Sequence, residues 1–68
     1  MLEVDARGLS CPEPVMMAMD ALKRAGGQPV RVLVSASVAR DNVMALAKRK
    51  KKSVQVERVG DDYALVIE

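Results

Sequence analysis

The sequence predicts a two-layer α+β sandwich with element order β-α-β-α-β-β. Three observations carry this. Short runs with polar/apolar alternation stand at 2–6 and 53–59, a β-branched run at 30–34, and an apolar run ending ALVI at 62–67. Two helical periodicities lie between them. Breaks rich in Gly, Ser or charge separate the elements. With 68 residues and 7.4 kDa, the chain is expected to form one domain over residues 1–68.

The first strand, 2–6, sets Leu2, Val4 and Ala6 on one face and Glu3 and Asp5 on the other. Arg7-Gly8-Leu9-Ser10 ends it as a loop. A helix follows from Pro12 to Ala25. At about 100° per residue, Val15, Ala18, Met19, Leu22 and Ala25 share a stripe, which leaves Met17 on the solvent side and Met16 at the stripe's edge. Gly26-Gly27 stops the helix. Residues 30–34 (VRVLV) read as a strand with Val30, Val32 and Val34 on one side. Ser35 or Ser37 is expected to cap a second helix from Val38 to Lys50, with the stripe Ala39, Val43, Leu46 and Ala47. The third strand, 53–59, is expected to turn Val54 and Val56 inward. Gly60-Asp61 makes a tight hairpin into the last strand, 62–67. Right-handed β-α-β crossovers then place both helices on one face of a four-stranded mixed sheet, with the other face left to solvent.

Composition excludes several functions. There is no His, which removes imidazole bases and His-ligated zinc. The single Cys11 excludes an internal disulfide, a CxxC pair and a cysteine-rich metal site. Asp61-Asp62 has no third ligand in sequence and reads as turn chemistry, so neither metal nor cofactor is expected. Nothing approaches the ~20 apolar residues of a membrane span, and the start MLEVDARG is unlike a secretory signal. A cytoplasmic protein with a reduced thiol is the expectation. Net charge is +2. Residues 1–47 balance five basic against five acidic residues, residues 53–68 carry one against four, and 48–52 (KRKKK) supply +5. That run reads first as a solvated helix end, where cations suit the dipole. Its functional reading is electrostatic docking to an acidic partner or RNA.

Chemistry concentrates at Cys11-Pro12-Glu13-Pro14, between the first strand and first helix. Proline is tolerated in a first turn because those amides lack intrahelical partners. Pro12 therefore reads as the first helical residue and Cys11 as the cap. A thiol there meets the positive end of the helix dipole, which favours the thiolate. Pro14 removes another donor, leaving the amides of Glu13 and Val15 to face the sulfur. Glu13 opposes a low thiol pKa, and Arg7 is available to offset it. Arg7, Met16 and Met17, close to the turn, are candidates for partner docking.

Asp5-Ala6-Arg7-Gly8-Leu9-Ser10-Cys11-Pro12-Glu13-Pro14-Val15 resembles the signature of the TusA/SirA-like sulfur carriers, through the pattern D-x-x-G-x-x-C-P-x-P. The resemblance spans essentially the whole chain. It implies a sheet order of 1-2-4-3 with the last strand antiparallel to the rest. It also implies a sulfurtransferase-type carrier, in which Cys11 accepts sulfur as a persulfide from a donor such as a cysteine desulfurase. Cys11 then hands that sulfur to an acceptor protein. Two departures from the family bear on partners: Ser35-Ala36-Ser37 replaces acidic residues usual after the second strand, and Lys51 and Lys52 replace a glycine usual after the second helix. Ala39-Arg40-Asp41-Asn42-Val43 is similar to the YedF-like, selenium-associated branch. The alternative is a nucleic-acid-binding or regulatory interaction module in which Cys11 is structural. One aromatic residue, Tyr63, argues against nucleic acid, since single-strand binders use aromatic stacking platforms.

Overall fold

A computed structural model describes residues 2–9 and 12–68. The elements are β1 (Leu2–Asp5), α1 (Glu13–Ala25), β2 (Val30–Val34), α2 (Ser37–Arg49), β3 (Val54–Val59) and β4 (Asp62–Ile67). The sheet order is β1-β2-β4-β3. β1 and β2 are parallel, and β4 is antiparallel to both of its neighbours, β2 and β3. The α+β sandwich of mixed sheet and two helices is the expected one.

The register sets the layers. Val4 pairs Val32, Val32 pairs Leu65, and Val30 pairs Ile67. Directly paired residues share a face. These positions form one buried cluster with Ala18 and Ala21 of α1 and Ala39, Val43, Leu46 and Ala47 of α2. The α2 stripe is the one that helical spacing predicts. The second face is less polar than alternation suggests. Leu33 and Ala64 pair with each other there and are buried outside the main cluster.

Three expectations are corrected. In α1 the buried residues are Pro14, Ala18 and Ala21, while Val15, Met19 and Leu22 only flank the core. The inward face is rotated by about 70° from the predicted stripe, at ~100° per residue. Small residues occupy the closest approach to the sheet, and bulkier ones line the margins. Consequently Met17 is half-buried against the core, and Met16 is the exposed one, at 62%. On β3, Val56 is 38% exposed and only Val54 packs against the core, because β3 is the sheet edge. Neither Ser35 nor Ser37 caps α2: Ala36 occupies the cap position in extended conformation, with no side-chain bond.

The ends of the elements follow backbone chemistry. Gly26 ends α1 at φ 59, the left-handed region that glycine adopts at least cost. At the end of α2 the same conformation falls on Lys51, also at φ 59. Its amide donates to the Lys48 carbonyl, and the Lys52 amide donates to that of Ala47. This is a Schellman closure built on a lysine where glycine is usual.

Candidate functional site

The loop that leads to the cysteine is held on three sides. Asp5, the last residue of β1, accepts hydrogen bonds from the Arg7 amide (3.1 Å) and from Arg7 Nε (2.9 Å) through Oδ1, and from Arg7 Nη2 (2.8 Å) through Oδ2. Arg7 Nη1 also lies 3.8 Å from Asp62 of β4. These hydrogen bonds from Arg7 hold the Asp5 carboxyl at a pKa of about 2, and Asp5 in turn raises that of Arg7. Next, the Ala6 amide donates to the Leu33 carbonyl of β2 (2.8 Å), and the Leu9 amide donates to the Ala6 carbonyl (3.4 Å). Third, the Gly8 amide donates to Ser35 Oγ (2.8 Å). Gly8 stands at φ 79, a conformation that a side chain would strain. The aspartate and glycine of the D-x-x-G pattern thus each have a physical task ahead of Cys11.

Beyond the loop, Pro12 occupies the cap position of α1 and its carbonyl accepts the Met16 amide at 3.0 Å. Helical residues begin at Glu13, one position later than expected, so Pro14 is the second helical residue. The cap is therefore Pro12 and not Cys11, and Pro12 is not the first helical residue. Glu13 and Val15 carry the first-turn amides that precede the Met16 bond, the same two donors that the sequence pointed to. Ser10 and Cys11, on which the thiol and persulfide expectations rest, lie outside the described residues.

The two prolines have different surroundings. Pro12 is exposed, whereas Pro14 is among the most completely buried side chains of the protein. Pro14 therefore anchors the head of α1 to the core, and Pro12 sits on the surface beside the cysteine. Glu13 and Met16 are exposed in the same turn, and Met17 turns toward the core. Arg7 is engaged with two aspartates and is not a free cation for the thiol.

Two features escaped sequence reasoning. Ser35 supports the loop from the neighbouring β-α connection, a contact 27 residues away in sequence that no local pattern signals. The Tyr63 ring contacts two guanidinium groups, with Arg40 at 4.8 Å and Arg58 at 5.0 Å from the ring centroid. Arg58 pairs with Tyr63 across β3 and β4, so hairpin register alone brings that pair together. Among the described residues no acidic or cysteine cluster is arranged to hold a metal. Among the described residues no helix is long and apolar enough to cross a membrane.

A small α+β sandwich with a pinned β-α loop and a Cys-Pro-x-Pro helix start defines the class. The family model of the sulfurtransferase TusA matches residues 2–68, and the chain belongs to that family. The crystal structure of a SirA-like protein from Desulfitobacterium hafniense is similar over 98% of this chain and 95% of that one, with 30% identity and a TM-score of 0.90. No curated protein matches the chain.

Proposed function

We propose that this protein is a sulfur carrier whose Cys11 takes sulfane sulfur from a donor protein such as a cysteine desulfurase and passes it to an acceptor protein in the cytoplasm. The observation that carries the reading is the family match over 2–68, joined to the position of Cys11 directly ahead of the α1 cap. The step needs little from the carrier. The Cys11 thiolate attacks the outer sulfur of the donor's persulfide. A new S–S bond forms at Cys11, the donor's S–S bond breaks, and the donor sulfur leaves as a thiolate. The second transfer repeats this exchange, with the acceptor as nucleophile. No net oxidation occurs, and neither base, metal nor cofactor on the carrier is required.

Each part of the surroundings serves that chemistry. The positive end of α1 favours the thiolate. Pro12 stiffens the chain next to it, Pro14 fixes the turn to the core, and the bonds to Asp5 and Ser35 hold the loop from the other side. Exposed Glu13 and Met16 give a partner a charged and an adaptable contact beside the sulfur. A relay assay tests the reading. With a cysteine desulfurase and radiolabelled cysteine, label should migrate with this protein without reductant and be lost with dithiothreitol. Cys11→Ser should take up none. Equal labelling of the two proteins would refute the role of Cys11.

A further inference from the structure

Charge is unevenly distributed along α2, which ends in a run of cations. The end of the fold where both helices begin holds Asp5, Glu13, Asp41, Asp61 and Asp62 against Arg7, Arg40 and Arg58. The C-terminal end of α2 holds Lys48, Arg49, Lys50, Lys51 and Lys52, and among the described residues none of these five is ion-paired. The 13 residues of α2 separate the two ends by ~20 Å at ~1.5 Å per residue.

Beside the basic end, α1 and α2 enclose an open groove of about 180 Å³ lined by Met19, Leu46, Arg49 and Lys50. Its apolar wall is Leu46 and the half-buried Met19, and its rim is the two cations. The volume compares with the ~150 Å³ that accepts a benzene-sized group. It suits one large aliphatic side chain. The adjoining Lys51 holds a left-handed backbone conformation at which a lysine is strained and glycine is not. The chain keeps the fourth of five consecutive cations at a position where backbone chemistry favours glycine.

We propose that this groove docks an acidic segment of a protein partner, with an aliphatic residue of that segment inserted between Met19 and Leu46 and its carboxylates on the basic rim. Charge complementarity selects an anionic occupant, and the apolar wall selects a peptide over a nucleic acid. Tyr63, the sole aromatic residue, packs against Arg40 and Arg58 at the other end of α2, so no base-stacking platform adjoins the groove. An occupant here leaves the N-terminal ends of the two helices uncovered. The inference stands apart from sulfur transfer, because binding is read without Cys11 chemistry.

The test uses the full chain and a dye-labelled, glutamate-rich peptide with one central leucine. Fluorescence anisotropy should show binding that weakens with salt. It should fall about tenfold when the peptide's leucine becomes alanine, from the loss of the buried aliphatic group. The double variant Arg49→Glu/Lys50→Glu, at exposed positions, should lose binding at least tenfold while keeping the wild-type circular dichroism spectrum. Met19→Ala should weaken the leucine peptide more than the alanine peptide. Equal affinity for the two peptides, or no effect of the charge reversal, would overturn the proposal. Tighter binding of a single-stranded oligonucleotide of matched charge would overturn it as well.

Discussion

Pro14→Ala and Pro12→Ala lie two residues apart yet should have unequal consequences. Pro14 is fully buried, and alanine removes two ring methylenes from the core at about 0.8 kcal/mol each. Freedom gained by the unfolded chain adds roughly 0.4–1 kcal/mol. The expected loss is about 2–2.5 kcal/mol. Pro12 is exposed, so its replacement carries only the second contribution, roughly 0.4–1 kcal/mol. In a domain of this size about 1 kcal/mol moves Tm by ~4–8 °C. Thermal melts should therefore fall by roughly 10–20 °C for Pro14→Ala and by less than about 8 °C for Pro12→Ala. Urea titrations should show unchanged slopes, since the same surface unfolds. Function should divide the other way. Pro12→Ala should alkylate at Cys11 at the wild-type rate or faster, but accept sulfur from a desulfurase more slowly. Equal destabilisation by the two substitutions, or sulfur acceptance by Pro12→Ala at the wild-type rate, would refute the separation of anchoring from presentation.

Three further outcomes are expected. The Asp5 carboxyl should titrate near pH 2 by NMR, and Arg7→Gln should return it toward 3.8. Because the folded value is the lower one, the stabilisation from Asp5 is present above about pH 3.8 and is lost as pH falls toward 2. A wild-type midpoint near 3.8 would contradict the clamp. Lys51→Gly should raise Tm by several degrees, since relief of a left-handed lysine (about 1–2 kcal/mol) exceeds the added unfolded-state freedom of glycine (roughly 0.4–1 kcal/mol). Lys51→Ala, which removes the charge and keeps the strain, should not raise it. Ser35→Ala should cost about 0.5 kcal/mol, the low end for an exposed hydrogen bond, and speed hydrogen exchange at the Gly8 amide. Unchanged Gly8 exchange would show that the serine does not hold the loop.

How far the sequence reveals this fold depends on which force positions each element. The strands and α2 are set by hydrophobic periodicity, and the buried residues Ala39, Val43, Leu46 and Ala47 follow directly from it. In α1, periodicity misplaces the face because the innermost residues are Pro14, Ala18 and Ala21. These are small because helix and sheet approach closely there, and ranking by hydrophobicity favours the larger residues at the margin. Val56 has the composition of a core strand, but exposure at a sheet edge depends on strand order, which alternation does not encode. At the site, the order of Asp5, Gly8 and the two prolines is legible, since each answers a local backbone demand. The Ser35 support is a tertiary contact, and a serine beside a helix start looks locally like a cap. The same blindness applies to Tyr63 and Arg40, joined only when α2 packs over β4.

The central claim is that Cys11 carries transferable sulfur. Intact mass and peptide mapping after incubation with a cysteine desulfurase and cysteine test it most directly. The account predicts a gain of at least one sulfur atom, located on the peptide containing Cys11 and released by mild reduction. It also predicts no gain in a folded Cys11→Ser variant. A Cys11 thiol that stays unmodified with several desulfurases and rhodanese-type donors would contradict the account.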